Sequence, residues 1–160
     1  MRVTLFALIA VERALIAVIH RQEELLRTAV LVVTAESVLM AVILIVEDDV
    51  FIRDDAEAMF QDWNHRTLLA SDVDEALSLL RSSQHIDALF TDIYLKKAVL
   101  GGFELAHEAI KLWPKLRVLY ATGNSITDKM KTLFVEGSHF LQKPYTQQQL
   151  QTSVEELLAA

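Results

Sequence analysis

Four short, mostly apolar runs, each ending at a polar residue and separated by helix-like stretches, constrain this chain more than any other feature. Ala41–Val46 is followed by Glu47 and Asp48, Asp87–Thr91 by Asp92, Leu116–Ala121 by Thr122, and His139–Gln142 by Lys143. Strands without apolar/polar alternation are buried on both faces, which is the condition of a parallel sheet covered by helices on each side. Ligands of such sheets bind outside the carboxyl ends of the strands. Glu47, Asp48, Asp92, Thr122 and Lys143 are therefore candidates for one shared site.

The remaining elements follow from periodicity and punctuation. Val50–Trp63 reads as a helix and Arg66–Ala70 as a short strand. Ser71 is placed to cap a helix through Ala76, Leu77 and Leu80, with Asp74 completing an imperfect capping box. A loop is expected over 93–102. The helix Phe103–Leu112 should stop near Trp113-Pro114, because a residue before proline disfavours helical backbone. Ile126–Phe134 is predicted helical, and Thr146 should cap a last helix running to about Leu158. Five strands alternating with five helices predict a doubly wound α/β domain over residues 40–160.

Residues 1–39 differ. They hold no Gly or Pro and one aromatic, Phe6, whereas all four glycines and both prolines fall between Gly101 and Pro144. The segment reads as one apolar helical extension, with Leu8, Val11, Leu15, Val18, Leu25 and Val32 at heptad-like spacing, interrupted by Gln22, Ala29 and Glu36. Val3–Val11 is too abruptly ended by Glu12-Arg13, with no small-residue cleavage site after it, to be an export leader. A membrane span needs about 20 mostly apolar residues, and Glu12, Arg13, Glu23, Glu24 and Glu36 interrupt every such window. The expectation is a packing or dimerising helix rather than a membrane anchor, with a homodimer as one outcome. Met40 as the natural start of the protein is the alternative.

A chain of 160 residues supports one domain with a sizeable core. Its net charge of −7 argues against a nucleic-acid groove, which requires clustered cations. The absence of cysteine excludes disulfides, thiolate metal sites and cysteine nucleophiles, and fits a cytoplasmic protein.

Three carboxylates brought to one sheet edge repel one another, and a hard cation relieves them. Mg²⁺ takes oxygen ligands, keeps several waters and binds through one or two carboxylates plus substrate phosphate. Asp92 is the candidate nucleophile, because a carboxylate attacking phosphorus gives an aspartyl phosphate. Lys143 supplies a point charge for phosphoryl oxygens and Thr122 a hydroxyl donor. Gly123 beside it permits close backbone approach. The blander reading is that Glu47-Asp48-Asp49 only caps the helix that follows. His20, His65, His85, His107 and His139 show no metal-ligand spacing and read as ordinary surface or half-buried residues.

The motifs ILIVEDD (Ile43–Asp49), LFTDI (Leu89–Ile93), LYATG (Leu119–Gly123) and FLQKPY (Phe140–Tyr145) together resemble the receiver domain of bacterial two-component response regulators, from about Met40 to Leu158. The resemblance implies a flavodoxin-like, five-stranded parallel sheet of order 2-1-3-4-5. It implies phosphorelay signalling, with a phosphoryl group passing from a phosphohistidine to Asp92. Glu47, Asp48, Asp92 and the backbone carbonyl of Tyr94 would hold Mg²⁺. Lys143-Pro144 matches the family's lysine followed by a cis-prolyl bond, and Thr122 with Phe140 matches its switch pair. Tyr94 and Asn124 match positions that influence phosphoryl lifetime. The implied partners are a sensor histidine kinase or histidine phosphotransfer protein upstream and a protein target downstream, with no nucleic acid.

The chain departs from that pattern after Asp92. Lys96 stands where the family has proline, and the loop is one or two residues longer than common. A degenerate receiver that binds partners without phosphorylation is the alternative this departure raises. An aspartyl-phosphate phosphatase of the haloacid dehalogenase type would need a carboxylate two residues after the nucleophile, where Tyr94 stands. Only one helix follows the last strand, so the expectation is a stand-alone receiver, not a turnover enzyme.

Overall fold

The computed structural model describes residues 21–22, 40–82, 85–95 and 100–159. The chain divides into two compact units, residues 1–39 and 40–160. In the first unit Arg21 and Gln22 are described, and both are helical. The expected continuous helix over 1–39 otherwise lies outside the described residues, as do His20, Lys96 and the middle of the 93–102 loop.

The second unit runs β1 (Val42–Val46), α1 (Val50–Asp62), β2 (Arg66–Ala70), α2 (Val73–Arg81), β3 (Ala88–Asp92), α3 (Gly101–Leu112), β4 (Arg117–Thr122), α4 (Asp128–Lys131), β5 (His139–Gln142) and α5 (Gln147–Ala159). All five strands are parallel, in the order β2-β1-β3-β4-β5. This is the flavodoxin-like order, with β1 beside β3. Their register pairs Val46 with Thr91, so Glu47 and Asp92 leave the sheet level with each other. Thr122 pairs with Gln142, which brings Lys143 just beyond the end of β4.

The pleat sends alternate side chains to opposite faces, and the core divides accordingly. Leu44, Val46, Leu89, Val118 and Tyr120 pack with Ala76 and Leu80 of α2, Phe103 and Ala106 of α3, and Met130 of α4. Ile43, Ile45, Phe90, Leu119 and Leu141 pack with Ala56 and Phe60 of α1 and Leu150, Val154 and Leu157 of α5. Each layer carries one of the two tryptophans. Trp113 rests against the first and donates its Nε1–H to the Leu80 carbonyl at 2.8 Å. Trp63 rests against the second, edge-on to Phe60 at 5.8 Å.

The helix starts show which polar residues are structural. Asp49 caps α1, accepting from Phe51 N at 2.9 Å and Ile52 N at 3.4 Å. Thr146 caps α5 as expected: its Oγ1 accepts from Gln149 N at 3.2 Å, while Gln149 Oε1 accepts from Thr146 N at 2.8 Å. The α2 cap falls one residue later than expected. Asp72 is the N-cap and accepts from Glu75 N at 3.0 Å, while Glu75 reaches back to Ser71 N at 2.7 Å. Glu75 spans that return, which the shorter Asp74 was expected to make.

Two further expectations are corrected. The helix predicted over Ile126–Phe134 is reduced to Asp128–Lys131, capped by Thr127. Past Lys131 the chain turns inward, burying Val135 and stacking Phe134 on Tyr120 at 5.0 Å. Packing there overrides helix propensity. His65, read as a surface or half-buried residue, is buried, and its Nδ1 accepts from Ala41 N at 3.2 Å. Burial holds its pKa below the ordinary histidine range, consistent with a neutral, accepting ring.

α3 begins at Gly101, two residues before the predicted Phe103, after Leu100 in the left-handed conformation (φ 65°). The reason lies at Gly102, whose N–H donates to the Ile93 carbonyl at 3.1 Å. A Cβ there would sit 2.1 Å from the Asp92 carbonyl oxygen and 2.8 Å from Ile93 Cα. Both are backbone atoms that cannot rotate away. At Gly123, by contrast, an added Cβ meets nothing within 4 Å, so the close approach expected there falls at Gly102 as far as protein atoms are concerned. Gly102→Ala should therefore cost about 1–3 kcal/mol in urea unfolding, while Gly123→Ala should be near neutral. Equal effects would contradict this packing.

Candidate functional site

The carboxyl edge of the sheet gathers Glu47 from the end of β1, Asp92 from β3 and Lys143 from the end of β5. Lys143 Nζ donates to Glu47 Oε2 at 2.5 Å and to Asp92 Oδ2 at 2.7 Å, so one ammonium bridges two carboxylates that are 96 and 51 residues away in sequence. All three side chains are largely shielded from water, at 13, 6 and 14 % exposure for Lys143, Glu47 and Asp92. The Lys143–Pro144 peptide bond is cis.

Each carboxylate is also held by backbone. Glu47 Oε1 accepts from Asp49 N at 3.2 Å, and its own carbonyl accepts from Arg53 Nη1 at 2.9 Å. Asp92 Oδ1 accepts from Tyr94 N at 3.0 Å, so the main chain at Tyr94 lies directly against the carboxylate. The Asp92 carbonyl accepts from Thr91 Oγ1 at 2.9 Å.

Electrostatics at the site are unbalanced. Burial alone would pull Lys143 down, but hydrogen bonds and charge from Asp92 and Glu47 outweigh it and hold the ammonium above its ordinary range. An ammonium 2.5 Å away should likewise depress Glu47. Instead burial carries its pKa above the ordinary carboxylate value, with the Asp92 charge adding to the rise. Burial opposes the charge on both groups; two carboxylate partners outweigh it at Lys143, and one ammonium shared between two acids does not outweigh it at Glu47. Tyr145 feels the same surplus. Burial first, then the charges of Glu47, Asp55 and Asp92, push its hydroxyl well above the ordinary tyrosine range.

Thr122 is fully buried. Its Oγ1 accepts from Asn124 N at 3.2 Å, and its carbonyl accepts from Lys143 N at 2.8 Å. Phe140 pairs with Tyr120 across β4–β5 and is half-buried, stacked on Phe134 at 6.3 Å. A row of rings thus runs from Phe103 through Tyr120 and Phe134 to Phe140. The Tyr120 hydroxyl within it is buried with no hydrogen-bond partner in a bonding geometry, although the Val135 main chain is nearby, and burial raises its pKa to about 12.

The oxygen-only donor set of Glu47, Asp48, Asp92 and the Tyr94 carbonyl suits a hard divalent cation. Among the described residues no three carboxylates or imidazoles are gathered closely enough to enclose a metal by themselves. Mg²⁺ does not need such an enclosure, because it keeps several waters and takes only one or two carboxylates. The excess negative charge on Glu47 and Asp92 is the observation that fits it. Asp48 is half-buried beside them, while Asp49, third in the acidic run, is spent on the α1 cap.

Three contributors to this edge were not singled out from the sequence. Arg53 lies one helical turn past the Asp49 cap, a spacing that could have marked it. Tyr145 directly follows the Lys-Pro pair. Gly102 was hidden in a loop.

The sequence matches the response regulator receiver domain over residues 43–155. Among solved structures, a receiver protein from Sinorhizobium medicae WSM419 superposes with a TM-score of 0.70 at 28% identity, covering 76% of this chain and 96% of that one. A receiver domain protein from Clostridium thermocellum gives 0.67 at 25% identity, with 75% and 95% covered. The receiver domain of sensor histidine kinase PA1611 from Pseudomonas aeruginosa PAO1, solved with magnesium in its active-site cleft, gives 0.65 at 22% identity, with 76% and 99% covered.

The raised pKa of Glu47 sets a pH-dependent stability. The folded state binds that proton more tightly than the unfolded chain, so the destabilisation is absent below the unfolded value of 4.5 and grows as pH rises through the folded pKa. Glu47→Gln should stabilise the metal-free protein at neutral pH by on the order of 1 kcal/mol, with the gain vanishing below about pH 4.5. Thermal unfolding across pH would show it. A variant less stable than the parent at pH 7 would mean that Lys143 fully compensates both acids.

Proposed function

The chain belongs to the response regulator receiver domains, the family of two-component phosphorelay signalling, and within it we propose that Asp92 accepts a phosphoryl group from a phosphohistidine. The observation that carries this reading is the Lys143 ammonium, held against Asp92 and Glu47 at the carboxyl edge. The donor is a sensor histidine kinase or a histidine phosphotransfer protein. An Asp92 oxygen forms the new P–O bond as the P–N bond breaks, and the electron pair of that bond stays on the imidazole. Lys143 keeps a positive charge beside the arriving phosphoryl oxygens, and catalysis of this kind is mostly positioning and charge stabilisation. Glu47, Asp48, Asp92 and the Tyr94 carbonyl are the residues that would hold Mg²⁺. When bound, the ion neutralises charge on the phosphoryl oxygens. The magnesium described for the active-site cleft of the PA1611 receiver domain supports magnesium as the ion.

On this reading the protein is a phosphoacceptor and not a turnover enzyme on a metabolite. It works in the cytoplasm through protein contacts, without nucleic acid. Among the described residues no helix is long and apolar enough to cross a membrane. Val50, Phe51 and Ile52 are exposed at the first turn of α1, Phe51 at 82%, and offer an apolar rim beside the acidic edge for a donor to rest on. Phosphoryl oxygens on Asp92 draw the Thr122 hydroxyl toward them, and Phe140 turns into the space left beside β4. The surface of α4, β5 and α5 then shifts between two packings.

A phosphorylation-independent binding module is the second reading. It is raised by the loop after Asp92, where Lys96 stands in place of the family's proline and the chain is one or two residues longer than common. Acetyl phosphate with Mg²⁺ separates the two. Intact mass should show one phosphoryl group added to the parent and none to Asp92→Asn, because an amide is a poor nucleophile. A parent that stays unmodified with acetyl phosphate and with a phosphohistidine donor would leave only the second reading. Thr122→Ala should still be phosphorylated, but the amide shifts it causes over residues 126–134 and at Phe140 should largely disappear. Undiminished shifts would mean that the signal leaves by another route.

A further inference from the structure

At the amino ends of β3 and β4, the opposite end of the sheet from the acidic edge, lies a hollow of about 490 Å³. That volume is within the range of small-molecule pockets. Ile86 and Leu116 form its apolar floor, and the rings of His85 and Trp113 stand over it edge to face, 6.1 Å apart. The Trp113 ring is fixed by a polar atom already in use, and the exposed His85 ring is tethered at one nitrogen. The Trp113 indole is pinned to the Leu80 carbonyl at 2.8 Å. His85 Nε2 lies 2.9 Å from Asp87 Oδ1, while Asp87 Oδ2 accepts from Val42 N at 2.8 Å. Walls that are ordered before binding reduce the entropy cost of filling the space.

The charge at the hollow is not balanced. Lys115 and Arg117 also line it, and neither side chain has an ion-pair partner among the described residues. Among the described lining residues the one carboxylate, Asp87, is spent on β1 and His85. The free charge is therefore positive, on a chain whose net charge is −7.

We infer that this hollow binds a small aromatic carboxylate, its ring against the Trp113–His85 wall and its charge toward Lys115 and Arg117. An apolar chamber alone would take any apolar solute. The two unpartnered cations add the demand for an anion, and the aromatic wall with its pinned indole adds the demand for a flat body. This site is separate from the phosphoacceptor edge and does not depend on the reading of that edge.

The test is a titration of the full chain with 2-naphthoate, followed by amide and indole N–H shifts. Binding should saturate, with shifts confined to residues 85–87 and 113–117 and the Trp113 indole. The Lys115→Gln/Arg117→Gln double variant leaves the aromatic wall intact and should bind at least about tenfold more weakly, the loss expected for about 1.4 kcal/mol of charge pairing. Neutral 2-naphthamide should lose a similar factor on the parent. Should the double variant unfold, Lys115→Gln alone, at an exposed position, carries the same comparison. Equal affinity for naphthamide, or unchanged affinity in the charge variants, overturns the anion requirement. Shifts that scatter or never saturate overturn the site. An acidic aromatic peptide that binds the same residues more tightly than naphthoate would make the hollow a protein-docking surface and overturn the small-ligand assignment.

Discussion

One ammonium between two buried carboxylates is the interaction on which the functional edge depends. A sheet covered on both faces has no room for charge along its strands, so its charged chemistry is confined to the strand ends. There Lys143 joins β5 to β1 and β3 across the top of β4. The arrangement leaves one negative charge in surplus. Burial raises Glu47 and Tyr145, the neighbouring negative charge adds to both rises, and the excess makes the edge receptive to a cation. The cost to stability is the ordinary one of a binding site whose charges await a ligand.

The acidic run after β1 shows how neighbouring residues divide labour. Asp49 satisfies the first N–H groups of α1, and Glu47 faces Lys143. The capping interpretation of Glu47-Asp48-Asp49 therefore holds for Asp49, which leaves Glu47 to face Lys143. Had Asp49 not been available, the helix start would compete with the site for the same carboxylates. Gly102 works similarly on β3. By letting α3 begin against the Asp92 carbonyl, it fixes the backbone that carries the Asp92 carboxylate.

The strands and their order were legible because burial on both faces leaves an unmistakable apolar run, and because the residues after those runs match a known family. The convergence of Glu47 and Asp92 was expected on condition that β1 lies beside β3, an order the family resemblance implied and the sheet shows. Less legible was everything decided by tertiary contact. The segment 126–134 has helical propensity, yet ring packing of Phe134 on Tyr120 ends α4 after four residues. Gly101-Gly102 looks like loop and begins a helix, since only a missing side chain fits against Asp92. His65 gives no sign in the sequence that it accepts a backbone N–H from β1. The buried Tyr120 hydroxyl, without a partner in good bonding geometry, is invisible in the sequence too.

The division of the core by the sheet has a spectroscopic consequence. Trp113 reports on the layer of α2, α3 and α4, and Trp63 on the layer of α1 and α5. The protein thus carries one tryptophan for each half of its interior, and no others. Because every strand contributes side chains to both halves, neither layer has a sheet of its own to fall back on. Loss of one exposes the reverse face of the other. The emission of the two indoles should then change over one shared transition, making cooperativity between the layers something that light can measure directly.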